Sequence, residues 1–168
     1  HPEVGLLLNV DKDHQEIEEL MQIFSVFKNN TKKIFVVNQS NALAKTLSAN
    51  LLQDFSADAD SGAGFIAHDF NQQGLQIEFK INRQPFLLFT VGKHNMENAL
   101  AASAVANQLG VSLETCADAL KEYEGIYRRH QLLGVKNGVY VLDDYAHNPT
   151  KCAASIAACQ PIAGKMVA

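Results

Sequence analysis

The chain has little with which to build a disulfide framework or a structural zinc site. Its three cysteines, Cys116, Cys152 and Cys159, are odd in number and none belongs to a Cys-x-x-Cys pair. They read as small buried apolar residues on helices. No basic run could track phosphates in series, and the net charge of -4 removes the electrostatic ground for a nucleic-acid partner. No apolar stretch reaches the roughly 18 residues of a membrane span, and His1-Pro-Glu-Val4 lacks the charged-then-apolar pattern of a signal peptide. A cytoplasmic setting is the resulting expectation. A Gly-x-x-x-x-Gly-Lys-Ser/Thr phosphate loop is also missing. What remains is a 168-residue chain, 47% hydrophobic and 19% charged, the composition of a folded globular protein with room for one core or two unequal pieces.

Short apolar runs alternate with helical periodicity. Gly5-Leu-Leu-Leu-Asn-Val10 and Lys33-Ile-Phe-Val-Val37 read as buried strands of a parallel sheet. Between them Ile17, Leu20, Met21, Phe24 and Phe27 predict an amphipathic helix from about Gln15 to Lys28. Ser40 predicts the cap of another helix carrying Leu43, Leu47 and Leu51. From Ala63 to Thr90 apolar and polar residues alternate, with turn signals at Asn71–Gly74 and Asn82–Pro85, so an antiparallel edge is expected. His68 and Asp69 lie there singly and read as solvent-facing. Ser112 caps a helix with Leu113, Cys116, Leu120 and Tyr123 on one face. After a polar junction at Gly125, read as a domain hinge, come a Lys136-Asn-Gly138 hairpin turn, a strand ending at Asp144, and a helix from about Thr150. Val4 at one end and Lys165-Met-Val-Ala168 at the other both read as strand, as in a piece cut from a longer protein.

Two places concentrate polar chemistry. Asn9-Val-Asp-Lys-Asp-His14 follows the first strand, where ligands gather in open α/β sheets. Asp11, Asp13 and His14 suit a hard cation, and equally suit ordinary capping of the next helix. The stretch from Gly92 to Gly110 opens on Gly-Lys-His-Asn-Met-Glu-Asn and continues as an Ala-rich helix. Asn95 and Asn98, three apart, point the same way, and amides both donate and accept, so the pair can read a heterocycle edge. The same residues also fit a capped helix packing its small side chains on a sheet.

Four stretches, in this order and spacing, resemble the Mur ligases, ATP-dependent amide ligases of bacterial cell-wall synthesis. They are Asn9-Val-Asp-Lys-Asp-His14, Gly92-Lys-His-Asn-Met-Glu-Asn-Ala-Leu-Ala101, Gly125-Ile-Tyr-Arg-Arg-His-Gln131 and Asp143-Asp-Tyr-Ala-His-Asn-Pro-Thr150. The last two look most like the branch that joins L-alanine to UDP-N-acetylmuramate or rejoins murein tripeptide. His130 departs from the aromatic usual after the arginine pair, and Asn148 stands where a second histidine is common; Ala-His-Asn-Pro is also similar to the folylpolyglutamate synthetases.

The resemblance implies an α/β fold: a mostly parallel sheet with flanking helices, an incomplete P-loop-type central domain with an antiparallel edge over 1–124, and the start of a Rossmann-like C-terminal domain over 125–168. It implies ATP and Mg²⁺ as cofactors, and a UDP-N-acetylmuramate-type substrate with L-alanine or a short peptide as partners. Carried over by motif, His14 would hold Mg²⁺, Asn95 and Asn98 the adenine, and Asp144 the ribose. Arg129 would reach the γ-phosphate, and His147 would lie near the nucleotide or phosphates. Arg128 and Tyr145 read as structural, and Lys12, Lys93 and Lys151 as solvated. The chain alone is expected to be inactive; a noncatalytic nucleotide-binding module derived from such a ligase is the alternative.

Overall fold

The computed structural model describes residues 1–11, 16–162 and 164–168. Strand β1 (Val4–Leu7) pairs in parallel with β2 (Ile34–Val37), from Val4 opposite Ile34 to Leu7 opposite Val37. A parallel bridge from Asn38 to Phe55 carries the sheet on to the two-residue β3 (Phe55–Ser56), which pairs in parallel with β4 (Phe65–Gln73). From there the sheet turns antiparallel through β5 (Gln76–Ile81) and β6 (Gln84–Leu88). The sheet is therefore mixed, parallel on one side and antiparallel at the other edge. Strands β1, β2, β3, β4 and β6 all run the same way.

Period-two alternation sends side chains to both faces. Leu7, Phe35 and Val37 join Val10 on one face, covered by Leu20, Met21, Phe24 and Phe27 of α1 (Ile17–Asn30). That helix carries Glu18 and Glu19 in its first turn and Lys28 in its last, charges that suit its dipole. On the other face Val36, Phe55, Phe65, Ile77, Phe79, Ile81 and Leu88 meet α2 (Lys93–Gln108), whose Ala99, Ala101 and Ala104 let it lie close to the strands. Helix α3 (Leu113–Lys121) packs on β6, with Ser112 capping through a bond from the Thr115 amide at 3.1 Å; Cys116 is buried as expected, whereas Cys152 and Cys159 are only partly buried. Helices on both faces of a sheet make this an α/β fold.

The helix expected from Ser40 through Leu51 does not form; a single 3-10 turn over Ala44–Leu47 stands in its place. Local polar groups compete with it. Ser40 Oγ bonds Ser56 Oγ and the Ala57 amide instead of capping, and Asn41 Oδ1 accepts from Ala44 and Val10. The buried Asp54 carboxylate gathers the Val37 amide, Gln39 Nε2 and Ser48 Oγ, pulling the segment into a closed loop. Leu43 and Leu47 still reach the core, while Leu51 is exposed.

Beyond Gly125 the chain forms a hairpin, β7 (Gln131–Lys136) and β8 (Val139–Asp143), then α4 (Pro149–Cys159). Asn137 (φ 52°) and Gly138 (φ 79°) make the two-residue turn that the sequence announced. Asn148 caps α4 by accepting from the Lys151 amide at 2.9 Å, with Pro149 at its first turn. The expected strand at Lys165–Ala168 is not formed: a strand needs a neighbour, and no described strand lies alongside. Among the described residues no helix is long and apolar enough to cross a membrane.

Candidate functional site

A cleft of about 710 Å³ opens where the stretch before Gly125 meets the stretch that begins there. Asn9, two residues beyond β1, and Thr90, two beyond β6, place it at the carboxyl edge of the sheet, where a ligand can sit outside the strand ends. Its other walls are the first turns of α2, the loop from Gly125 to His130, Asp144, and one side of α4. A smaller hollow of about 460 Å³ lies between β5, β6 and α3; of the charges that line it, Lys80 and Asp69 pair at 2.9 Å.

Asn95 and Asn98 both line the cleft. Asn95 Nδ2 donates to the Val91 carbonyl at 2.8 Å and to Thr90 Oγ1 at 2.9 Å. A carbonyl only accepts, so the amide nitrogen must face Val91 and Oδ1 remains as an acceptor. Asn98, one turn on, is exposed and its side-chain amide has no hydrogen-bond partner among the described residues. Together they offer one fixed acceptor and one free amide, enough to match a ring that presents a donor beside an acceptor.

Asp144 lies across the cleft. Its Oδ2 accepts from the His130 amide and its Oδ1 from the Ala146 amide, each at 2.9 Å. Burial alone would raise this carboxyl. The two backbone donors, followed by the His130 ring and Arg129, outweigh that and hold it below its ordinary range. It stays ionised and oriented, with acceptor capacity left for a hydroxyl.

Arg129 sits in a loop bent hard on either side, Arg128 having φ 56° and His130 φ 47°. Such conformations persist where neighbours over-determine them. Here the Arg128 amide donates to Gln131 Oε1, the Arg128 carbonyl accepts from Tyr145, and Asp144 holds the His130 amide. Arg128 is occupied by Asp143 at 3.3 Å and by the Tyr145 ring, the packing role expected of Arg128 and Tyr145. Arg129 lines the cleft with no ion-pair partner among the described residues, a cation left for an incoming anion.

His147 does not line this cleft: its Nδ1 bonds the Tyr145 carbonyl and its ring packs on Tyr145. Asp13 and His14 lie outside the described residues, and Asp11 is exposed. Among the described residues no group of three His, Cys, Asp or Glu side chains is placed to hold a metal ion.

Two further histidines belong to the cleft. His130, its side chain 6% exposed, bonds Ser155 Oγ through Nε2 at 3.0 Å, and its ring centre lies 5.1 Å from that of His94. Burial pushes the His94 imidazole down, the neighbouring His130 adds to this, and Asp144 opposes it, so His94 is neutral near pH 7. His94 sat in plain view beside Asn95, but nothing in the spacing shows that it meets a ring 36 positions later.

Residues 1–106 match the Mur ligase middle domain. Over 93% of its length the chain is 33% identical to the UDP-N-acetylmuramate--L-alanine ligase of Clostridium acetobutylicum, of which it covers 37%. It is also 33% identical, over its whole length, to the protein of that name from Caldicellulosiruptor bescii, covering 40% of it. The chain thus spans about two fifths of the length of these curated relatives. The crystal structure of UDP-N-acetylmuramate-alanine ligase from Thermotoga maritima superposes with a TM-score of 0.83 at 21% identity, over 96% of this chain and 39% of that one. A MurF ligase of the same organism in complex with ADP gives 0.70 at 19%, over 94% and 39%. At these identities the two structures speak to the fold.

Proposed function

The chain belongs to the Mur ligase family, and from that premise we propose that it is the nucleotide-closing part of an ATP-dependent, ADP-forming ligase of peptidoglycan synthesis. Residues 1–124 are the later part of the central domain and residues 125–168 the start of the C-terminal one. The reaction joins L-alanine to UDP-N-acetylmuramate through an acyl phosphate, in a cytoplasmic setting. One observation carries the reading: four residues singled out by motif, Asn95, Asn98, Arg129 and Asp144, come from both stretches and line one cleft.

Each has a role suited to its surroundings. Asn95 Oδ1, fixed by the two bonds at its amide nitrogen, accepts from the exocyclic amine of adenine, and Asn98 completes the ring edge. Asp144, held ionised by the His130 and Ala146 amides, accepts from a ribose hydroxyl. Arg129 meets the γ-phosphate, where phosphoryl transfer depends on positioning and on neutralising developing charge. Bound Mg²⁺ would supply the rest of that neutralisation, with His14 as its ligand by resemblance. His147, packed on Tyr145 outside the cleft, reaches the phosphates only if its loop rearranges when the domains close.

The test is phosphate release by the intact parent protein, which should require ATP, UDP-N-acetylmuramate and L-alanine together. Asn98→Ala should raise the ATP requirement about tenfold, the loss of one good polar contact. Turnover with murein tripeptide instead of L-alanine would assign the protein to recycling; no turnover with either would leave a noncatalytic nucleotide-binding module. The 168-residue chain by itself should release no phosphate above background and bind ATP at about millimolar Kd.

A further inference from the structure

One contact between the two stretches is left unused by the nucleotide reading. Gln72, near the end of β4, donates from Nε2 to the Ala158 carbonyl of α4 at 2.9 Å and to the Gly74 carbonyl of its own hairpin at 3.2 Å. Its Oε1 accepts from the Gly92 amide at 2.9 Å. The orientation is unambiguous, because the Gly92 N–H only donates and both carbonyls only accept. One side-chain amide therefore ties the sheet edge, the N-cap residue of α2 and the last turn of α4.

Packing reinforces the tie. Ala158 is the one buried apolar residue among those described beyond Gly125, at 6% exposure. It sits against Gly92, where a Cβ would come within 2.8 Å of the Ala158 methyl and 2.6 Å of the His94 ring. Gly92 also has φ 85°, so both its conformation and its contact exclude a side chain. Three residues further along α2 is Asn95; on the other stretch the same α4 carries Ser155, which holds His130.

We propose that Gln72 is a latch, a positioning residue that docks α4 on Gly92 and thereby sets Arg129, His130 and Asp144 opposite Asn95 and Asn98. The docking stands on geometry alone; its consequence for a nucleotide rests on the function proposed above.

The probe is Gln72→Glu in the 168-residue chain, compared with wild type and Gln72→Ala by hydrogen-exchange mass spectrometry, with ADP affinity measured alongside. Glutamate keeps the acceptor for Gly92 but loses the donor and sets a negative charge against the Ala158 carbonyl. Exchange over 154–162 should rise about five- to tenfold in both variants, the effect of one lost interior hydrogen bond. Over 90–94 it should rise in Gln72→Ala and stay near wild type in Gln72→Glu. The middle of α2 should not change. As pH falls through the carboxyl range, glutamic acid regains an O–H donor, and the Gln72→Glu to wild-type ratio over 154–162 should return toward one. A side chain that only filled space there would not show that recovery; the ADP affinity is what separates the latch from a local structural bond.

Unchanged protection over 154–162 in Gln72→Glu overturns the latch. If protection is lost across α2 as well, Ala158→Leu, which wedges the same contact from the other side, must loosen 154–162 alone or the latch is overturned. ADP should bind a few-fold more weakly to both Gln72 variants. If wild type binds no ADP, the nucleotide reading fails, and the exchange results still decide the latch.

Discussion

Residues before Gly125 bury two apolar clusters, with Val36, Ile77, Ile81 and Leu100 fully inaccessible, whereas those after it leave Leu133, Val139 and Tyr127 more than half exposed. The first stretch is held by burial. The second is a two-stranded hairpin and one helix, too few layers to cover an apolar face, and it is ordered by polar pins: Asp144 on two amides, Asn148 on α4, Gln131 on the Arg128 amide. The cleft lies where the two regimes meet. Asn95 and Asn98 stand on a helix seated in a packed core, while Arg129 and Asp144 stand on a loop that can be reset by a few kcal/mol or less. A site that must close over a ligand is well served by one rigid wall and one adjustable wall.

Stability measurements can break that contrast. Leu100→Ala should cost about 2–5 kcal/mol, seen as a lower urea midpoint, because it empties a site with no exposed atoms. Val139→Ala, on the open hairpin, should stay within about 0.5 kcal/mol. Equal costs would mean that the second stretch shares the first one's core. Asp54→Ala should come next, at about 1–3 kcal/mol, since it leaves the Val37 amide, Gln39 Nε2 and Ser48 Oγ without their buried acceptor.

Asp54 also shows where reading the sequence stops. Strands β1, β2 and β4 to β8, α1, the Ala-rich α2, the Ser112 cap and the Asn137-Gly138 turn were legible because each is written in local periodicity or turn chemistry, whereas the two-residue β3 was not foreseen and the strand expected at Lys165–Ala168 did not form. The Ser40–Leu51 segment departs from a helix because partners from outside it, Ser56 on Ser40, Val10 on Asn41 and the Asp54 carboxylate on Ser48, decide its path, and a helix pattern cannot announce them. The site divided in the same way. Asn95 and Asn98 stood out by spacing, and Arg129 and Asp144 by resemblance to a known family, yet that they share a cleft is a fact of three dimensions. His130 and Gln72 were invisible as site residues, since each matters through a partner dozens of positions away.

A smaller effect concerns the seam between the stretches. The folded-state pKa of His94 lies below its ordinary 6.5. A group so depressed contributes stability that is present above the unfolded value and lost as pH falls through the folded one. Acidification from above pH 6.5 should therefore loosen the contact of His94 with His130, with burial and the His130 ring opposing the charge and Asp144 as the nearby anion that moderates the loss. Urea midpoints on either side of pH 6.5 should differ, and His94→Gln should flatten that part of the difference. A midpoint that rises on acidification over this range would reverse the assignment.

The least effect on the whole should come from Gly138→Ala. Its φ of 79° is left-handed, where a Cβ costs about 1 kcal/mol, and no atom lies near enough to add a clash. In a cooperative core that strain would appear in full at the urea midpoint. Here it falls on a hairpin whose side chains are exposed, so it should be discharged by local opening of β7 from β8. Amide exchange over 131–143 should quicken about fivefold while the midpoint moves by less than about 0.3 kcal/mol. Were the midpoint to carry the whole of the strain, the hairpin would be folding as one unit with the sheet, and the adjustable wall of the cleft would be as rigid as the other.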